Sequence, residues 1–259
     1  MRPLFAPRSL QPEGLSEKAV REAVSGPDDG GAVKNRQDRY AVSESIEGQF
    51  EPGSRRRVVR NLLGIQSKRE MDRVEGEELV RTFRDLIGLY DRDHRFNADD
   101  LRMMHREWLG NIYEWAGLYR QVNLAKGAFT FAAAYLVPGL MTEFEHHCLA
   151  VHTPCRMTGR REVIRALSVV HVELLLIHPF REGNGRLARM LALLMALQAE
   201  LPLLDFSLVK GRKKEEYFSA VRAGLDRNYG PMEKIFGEVI ERTVRVQGSS
   251  SRTFFRGVR

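Results

Sequence analysis

The stretch HPFREGNGRLAR, His178 to Arg189, decides how the rest of this chain is read. A His-Pro break, a Gly-Asn-Gly turn and two arginines fall between two apolar runs, Val163 to Ile177 (VIRALSVVHVELLLI) and Leu187 to Leu197 (LARMLALLMAL). Both runs are long enough, and rich enough in Leu, Val, Ala and Met, for buried helices. The pattern predicts a loop held rigidly on both sides.

Pro179 disfavours helical geometry at His178, so the first helix ends there and its imidazole points out of a helix C-terminus toward the loop. A histidine titrates near about 6.5, which leaves a useful neutral fraction at pH 7 for a general base. Gly183 and Gly185 permit backbone conformations that turn successive N–H groups inward, as an anion nest at the N-terminus of the second helix. Glu182 adjoins that nest as a hard oxygen ligand, suited to a magnesium ion that bridges phosphates. Asn184 can donate a hydrogen bond, and Arg186 and Arg189, three apart on one helical face, can clamp further phosphates.

Taken singly, a His before Pro, a GNG turn and a pair of arginines are ordinary surface features. Together they resemble the Fic/Doc family, whose loop is written HxFx(D/E)GNGRxxR and is matched by His178, Phe180, Glu182, Gly183, Asn184, Gly185, Arg186 and Arg189. The resemblance implies magnesium-dependent transfer of AMP from ATP to a Tyr, Thr or Ser hydroxyl of a target protein. By it, His178 is the base, Glu182 holds the metal, Gly183, Asn184, Gly185 and Arg186 hold the phosphates, and Arg189 engages the terminal phosphate. Phe180 is expected to anchor the loop in the core.

Residues Arg120 to Tyr135 (RQVNLAKGAFTFAAAY) contain an alternating segment, with Phe129 and Phe131 following a turn-forming Lys126-Gly127 pair. This predicts a short hairpin in a mostly helical protein. Asn123 to Phe131 resembles the Fic flap, which lies over the loop and holds a target segment as an added strand; Asn123, Lys126, Gly127, Phe129 and Phe131 are its candidate target-binding residues.

The fold class expected is all-α, a Fic-type helical domain with a small hairpin flap over the active-site loop. Helical patterns run over about 70–90, 97–115, 135–150, 160–177, 186–200, 212–226 and 230–245, the second opened by an Asn-x-Asp-Asp start signal. Residues 1–40, rich in Pro, Gly and charge, read as a mobile arm. Residues 41–70 read as an extension, 71–245 as the catalytic domain and 246–259 as a basic tail. Within the extension, EPGSRRRVVRNLLGI at 51–65 resembles the lead-in to the core helices of some Fic proteins.

Ser43 to Gly48 read SESIEG and resemble the (S/T)xxxE(G/N) pattern of an inhibitory helix. By that resemblance Glu47, supported by Ser43 and Gly48, pairs with Arg189 and denies it to the terminal phosphate. The nearby PGS segment points instead to relatives inhibited by a separate small protein, and both readings stay open.

The 259 residues, 43% hydrophobic, suffice for one sizeable core. The apolar runs are broken by charge short of the roughly 18 residues a membrane span needs, and the N-terminus lacks a signal-peptide core. Cys148 and Cys155 are the only cysteines, so a reducing cytoplasm is the expected location, with delivery into another cell left open. The net charge of +7 is concentrated in RRRVVR at 55–60, KGRKK at 210–214 and the tail, which makes nucleic-acid binding at most a secondary property. His171 is expected beneath the site, and His146, His147 and His152 lack a recognised metal spacing. Two alternatives remain: a Fic-fold transferase of another phosphate-containing group, or a silent partner-binding scaffold. The oligomeric state, a homo-oligomer included, is undetermined by sequence.

Overall fold

The computed structural model describes residues 10, 16–24, 34–35, 46–127, 129–209 and 212–254. In chain order its elements are α1 (Glu17–Val24), β1 (Lys34–Asn35), α2 (Lys68–Leu89), α3 (Ala98–Leu109), β2 (Leu124–Lys126), β3 (Phe129–Thr130), α4 (Val137–Phe144), α5 (Ala150–His152), α6 (Arg160–Ile177), α7 (Asn184–Gln198), α8 (Arg212–Ala223) and α9 (Gly230–Phe254). The fold is helical with one small sheet, as the sequence predicts.

The centre of the molecule is the pair α6 and α7, packed together across the loop that joins them. Every residue of α7 except Arg186 is buried, as expected of a helix that is apolar on all sides. Around the pair, α2 packs on α3, while α6 also receives α4, α8 and α9. The start of α3 is set by a reciprocal cap: Asn97 Oδ1 accepts from the Asp100 N–H at 2.8 Å, and Asp100 Oδ2 accepts from the Asn97 N–H at 3.0 Å. This is the expected start signal, built as a capping box.

Several bounds differ from expectation. Helix α3 ends at Leu109 rather than near 115; Gly110 caps it, and the chain then runs through turns to Gly117, at φ +79°. The predicted helix at 135–150 is interrupted by a π-helical turn, Glu145–Leu149, between α4 and α5. Helix α9 continues to Phe254, so part of the expected basic tail is helical. Within the expected N-terminal arm, α1 buries Val20, Ala23 and Val24 and packs on α2 and α7. Apolar spacing on one face of so short a helix was masked by its Pro- and Gly-rich flanks.

The sheet has three antiparallel strands in the order β1-β2-β3 rather than two. Ala125 pairs with Thr130 and Lys126 with Phe129 in the predicted hairpin, whose turn carries Gly127 at φ +60°. On the other edge of β2, Lys34 pairs with Ala125 and Asn35 with Leu124. No helix of the described residues is long and apolar enough to cross a membrane. Burial pushes the Cys148 thiol up to about 11 and the Cys155 thiol up to about 12, which makes both poor nucleophiles.

Candidate active site

His178 closes α6 in a left-handed conformation, φ 53° and ψ 59°, with its N–H bonded to Leu174 O at 3.0 Å. Pro179 can continue neither the helix nor its hydrogen bonding, so the chain leaves α6 at the residue that carries the imidazole. Gly183, at φ +83°, then caps α7. A Cβ there would lie 2.7 Å from the Trp108 ring, so glycine is required both by conformation and by space. Gly185 lies within the first turn of α7, so of the two loop glycines expected to need special backbone only Gly183 does.

Asn184 lines the cavity described below, and its side chain is engaged within the loop. Its Oδ1 accepts from the Phe180 N–H at 2.8 Å and its Nδ2 donates to Phe180 O at 2.7 Å, with the residue buried. The side-chain amide staples the loop to itself. Phe180 points inward as expected and stacks on His105, the ring centroids 4.0 Å apart. His105 Nδ1 accepts the Gly117 N–H at 2.9 Å, which places its proton on Nε2, the donor to Glu182 O at 3.1 Å. Burial pushes the His105 pKa down to about 4, so this post is neutral at pH 7.

The two loop arginines were expected to clamp phosphates. Arg186 instead bonds Glu75 Oε2 of α2 at 2.6 Å, lies over the Trp108 ring at 4.6 Å from its centroid, and approaches Glu182 Oε1 at 3.6 Å. Burial alone would raise the Glu75 carboxyl; Arg186, the 2.6 Å bond from the Tyr113 hydroxyl and Lys68 outweigh it and hold it below the ordinary value. Arg189 is buried in α7. Neither guanidinium lines the cavity described next.

That cavity, of about 540 Å³, lies between the loop and the flap. Its loop wall is His178 and Arg181 to Gly185; the flap contributes Lys126, Gly127, Phe129 and Phe131; α6 adds Leu175 and α8 adds Glu215, Tyr217, Phe218, Val221 and Arg222. The volume is within the range of small-molecule sites. Phe131 stacks on the His178 imidazole with centroids 3.8 Å apart, and Phe129 meets Phe131 edge to face at 5.1 Å. Lys126 Nζ sits 4.0 Å above the Phe218 ring, bridging the flap to α8. Asn123 stands at the flap root, where its Oδ1 accepts from the Ala134 N–H at 2.8 Å. His171 lies beneath the site as expected, bonded to Tyr217 Oη at 2.7 Å and to Ala188 O at 3.1 Å.

Glu47 stands elsewhere than expected. Ile46–Gly48 forms one 3-10 turn, and Ser43 lies outside the described residues. The Glu47 carboxylate accepts from the Gln121 N–H at 2.5 Å, and its backbone O accepts from Arg181 Nε at 2.8 Å. The arginines that face this carboxylate are Arg181 and Arg120, not the expected Arg189. Burial raises its pKa despite those partners. Anchored at the flap root by its main chain as well as its side chain, Glu47 is consumed by local bonds. Sequence reading missed Glu75, His105 and Arg120, which carry no motif and became visible only as buried polar groups.

Fold and loop together define a helical domain with an imidazole beside the N-terminus of a buried helix. Residues 95–196 match the model of the Fic/DOC family. The protein adenylyltransferase VbhT of Bartonella schoenbuchensis is 32% identical over 133 residues, which is 51% of this chain and 27% of that protein. The probable protein adenylyltransferase y4lH of Sinorhizobium fredii is 31% identical over 129 residues, 50% of this chain and 65% of that protein. The chain thus spans less than two thirds of the length of these curated relatives. Among solved structures, the N-terminal Fic domain of a Bartonella effector protein superposes with a TM-score of 0.62 at 20% identity, covering 77% of this chain and 94% of that one. BepC of Bartonella tribocorum, solved with bound AMPPNP, gives 0.59 at 20% identity, covering 76% and 97%. These two likenesses show the fold.

Proposed function

We propose that this protein is an adenylyltransferase that moves AMP from ATP to a hydroxyl of a target protein, Tyr, Thr or Ser. The observation that carries the reading is the single cavity that sets His178, Glu182 and the N-terminus of α7 against an aromatic flap. The adenylyltransferase names of the relatives and the nucleotide analogue in BepC support it.

In this scheme the base of ATP packs on Leu175, Phe218 and Val221, and the phosphates lie against the N-terminus of α7 at Gly183 to Gly185, where the dipole favours negative charge. There the Gly183 N–H exchanges its bond to Glu182 Oε1 for a phosphate oxygen. His178 takes the proton of the target hydroxyl, its oxygen bonds to the α-phosphorus, and the bond from that phosphorus to the bridging oxygen breaks to release pyrophosphate. Positioning and charge neutralisation supply most of the effect. Glu182 lines the cavity with a carboxylate, and one carboxylate plus phosphate oxygens is a usual donor set for magnesium. A bound magnesium ion would neutralise the triphosphate there. A target segment adding to the flap by main-chain pairing meets a sheet whose β2 edge is taken by β1, which leaves the outer edge of β3, unless β1 is displaced.

The test is intact-mass spectrometry of the chain and of candidate targets after incubation with magnesium and ATP, comparing wild type with His178→Ala. The expected outcome is a gain of one AMP mass that disappears in the variant. A gain of phosphate alone, or a gain that persists without His178, would replace adenylyl transfer by another chemistry. A biological effect that survives His178→Ala, with no mass gain in any sample, would establish the scaffold reading.

A further inference from the structure

Arg120 is completely buried, an uncommon place for a guanidinium, and its hydrogen bonds go to main-chain carbonyls. Nε donates to His178 O at 2.7 Å, Nη1 to Val122 O at 2.9 Å, and Nη2 to Ala132 O at 2.6 Å and to Ile177 O at 3.3 Å. Its own N–H donates to Pro179 O at 2.9 Å. Val122 and Ala132 adjoin the two legs of the flap at its root, whereas Ile177 and His178 are the last residue of α6 and its cap. One side chain therefore joins both legs of the hairpin to the end of the helix that carries the imidazole.

The arrangement answers two physical needs. The last carbonyls of a helix lack intrahelical donors, and a left-handed residue such as His178 needs outside support to persist. A cation at a helix C-terminus meets the negative end of the dipole, and the planar fork of arginine serves acceptors in several directions that lysine cannot reach together. The Glu47 carboxylate faces the same guanidinium and offsets its charge.

We propose that Arg120 is the positioning residue that holds the flap and the His178 base in one register, so that the hydroxyl presented by the flap meets the imidazole. The role of the base rests on the function proposed above; the mechanical coupling does not. Phe131 stacked on His178 is its internal reporter, because an aromatic ring 3.8 Å above the imidazole displaces the imidazole proton resonances upfield.

The experiment compares wild type, Arg120→Lys and Arg120→Gln, with Phe131→Ala as the reference for lost stacking. Three quantities are read: the His178 ring resonances by NMR, the ATP dissociation constant, and kcat for AMP transfer. The expected result is that both Arg120 variants lose most of the upfield displacement, as Phe131→Ala does. Each should bind ATP within about twofold of wild type and lose roughly a hundredfold in kcat, the scale of a misplacement near one ångström. Unchanged His178 resonances in a folded variant would overturn the coupling, as would a loss confined to ATP affinity. Loss of the far-UV helix signal in both variants would overturn it too, by making Arg120 a folding residue. An inactive wild type that nevertheless shows the resonance change would count against the proposed reaction alone and sustain the coupling.

Discussion

Glu75 has 1% of its surface exposed, yet it carries a charge, because Arg186, the Tyr113 hydroxyl and Lys68 surround it. Removing one partner of such a pair leaves the other uncompensated, and Glu75→Ala is expected to cost about 3–5 kcal/mol, read as a lowered midpoint in urea unfolding. A loss below about 1 kcal/mol would mean that Arg186 finds water or Glu182 instead. Asn184→Ala is expected to be milder in stability, about 1–3 kcal/mol for the two Phe180 groups left without partners, but to weaken ATP binding through the loosened nest. A large loss of affinity without a loss of stability would return Asn184 to direct phosphate contact. At this scale the motif letters located the site, but only partly assigned its work. His178, Glu182 and Asn184 all line the cavity, while the Asn184 amide also bonds Phe180 and Arg186 bonds Glu75. The reason is physical: a donor in a sequence has no direction, and the acceptors here are Phe180 O, reached only once the loop has folded back on itself, and Glu75, which arrives from the distant helix α2.

At the scale of elements, the N-terminus of α7 is made by one glycine. Gly183→Ala would place a methyl 2.7 Å from Trp108 on a backbone at φ +83°, so the loop must open or Trp108 must move. The expected cost is about 1–3 kcal/mol in stability, together with weaker ATP binding, measured by calorimetry on the folded variant. Normal affinity would show that the nest tolerates a different turn. The helices were readable because their apolar spacing is dense, and α3 even announced its cap through Asn97 and Asp100. The hairpin was readable from Lys126-Gly127 and the flanking aromatics. Strand β1 was not: two residues, Lys34 and Asn35, carry no alternation, and their pairing with Leu124 and Ala125 is a long-range event. Arg120 was equally silent, since an arginine beside a predicted hairpin reads as surface until the carbonyls around it are seen.

Across the whole molecule, the group that ties the loop to the helical core is a neutral histidine, and this gives the fold a predictable acid limb. His105, on α3, is fully buried against the loop, with both ring nitrogens in use, and burial pushes its pKa down to about 4. In the unfolded chain the same imidazole takes up a proton below about 6.5, whereas the folded chain resists until about 4. The unfolded state therefore binds more protons through that window, so the contribution of His105 is fully present above pH 6.5 and lost as pH falls toward 4. At about 1.4 kcal/mol for each pH unit the loss reaches roughly 3 kcal/mol. Carboxylates titrate over the lower part of the same range, so the wild-type curve alone cannot isolate this group. The decisive quantity is the difference in unfolding free energy between wild type and His105→Gln, which keeps a neutral donor but cannot be protonated. That difference is expected to favour wild type at pH 7.5, where the imidazole packs on Phe180 and bonds Glu182 O, and to shrink steadily below pH 6.5. A difference that stays constant from pH 7.5 to 4.5 would show that His105 takes up its proton equally in both states, and the loop would then be standing on something other than a neutral imidazole.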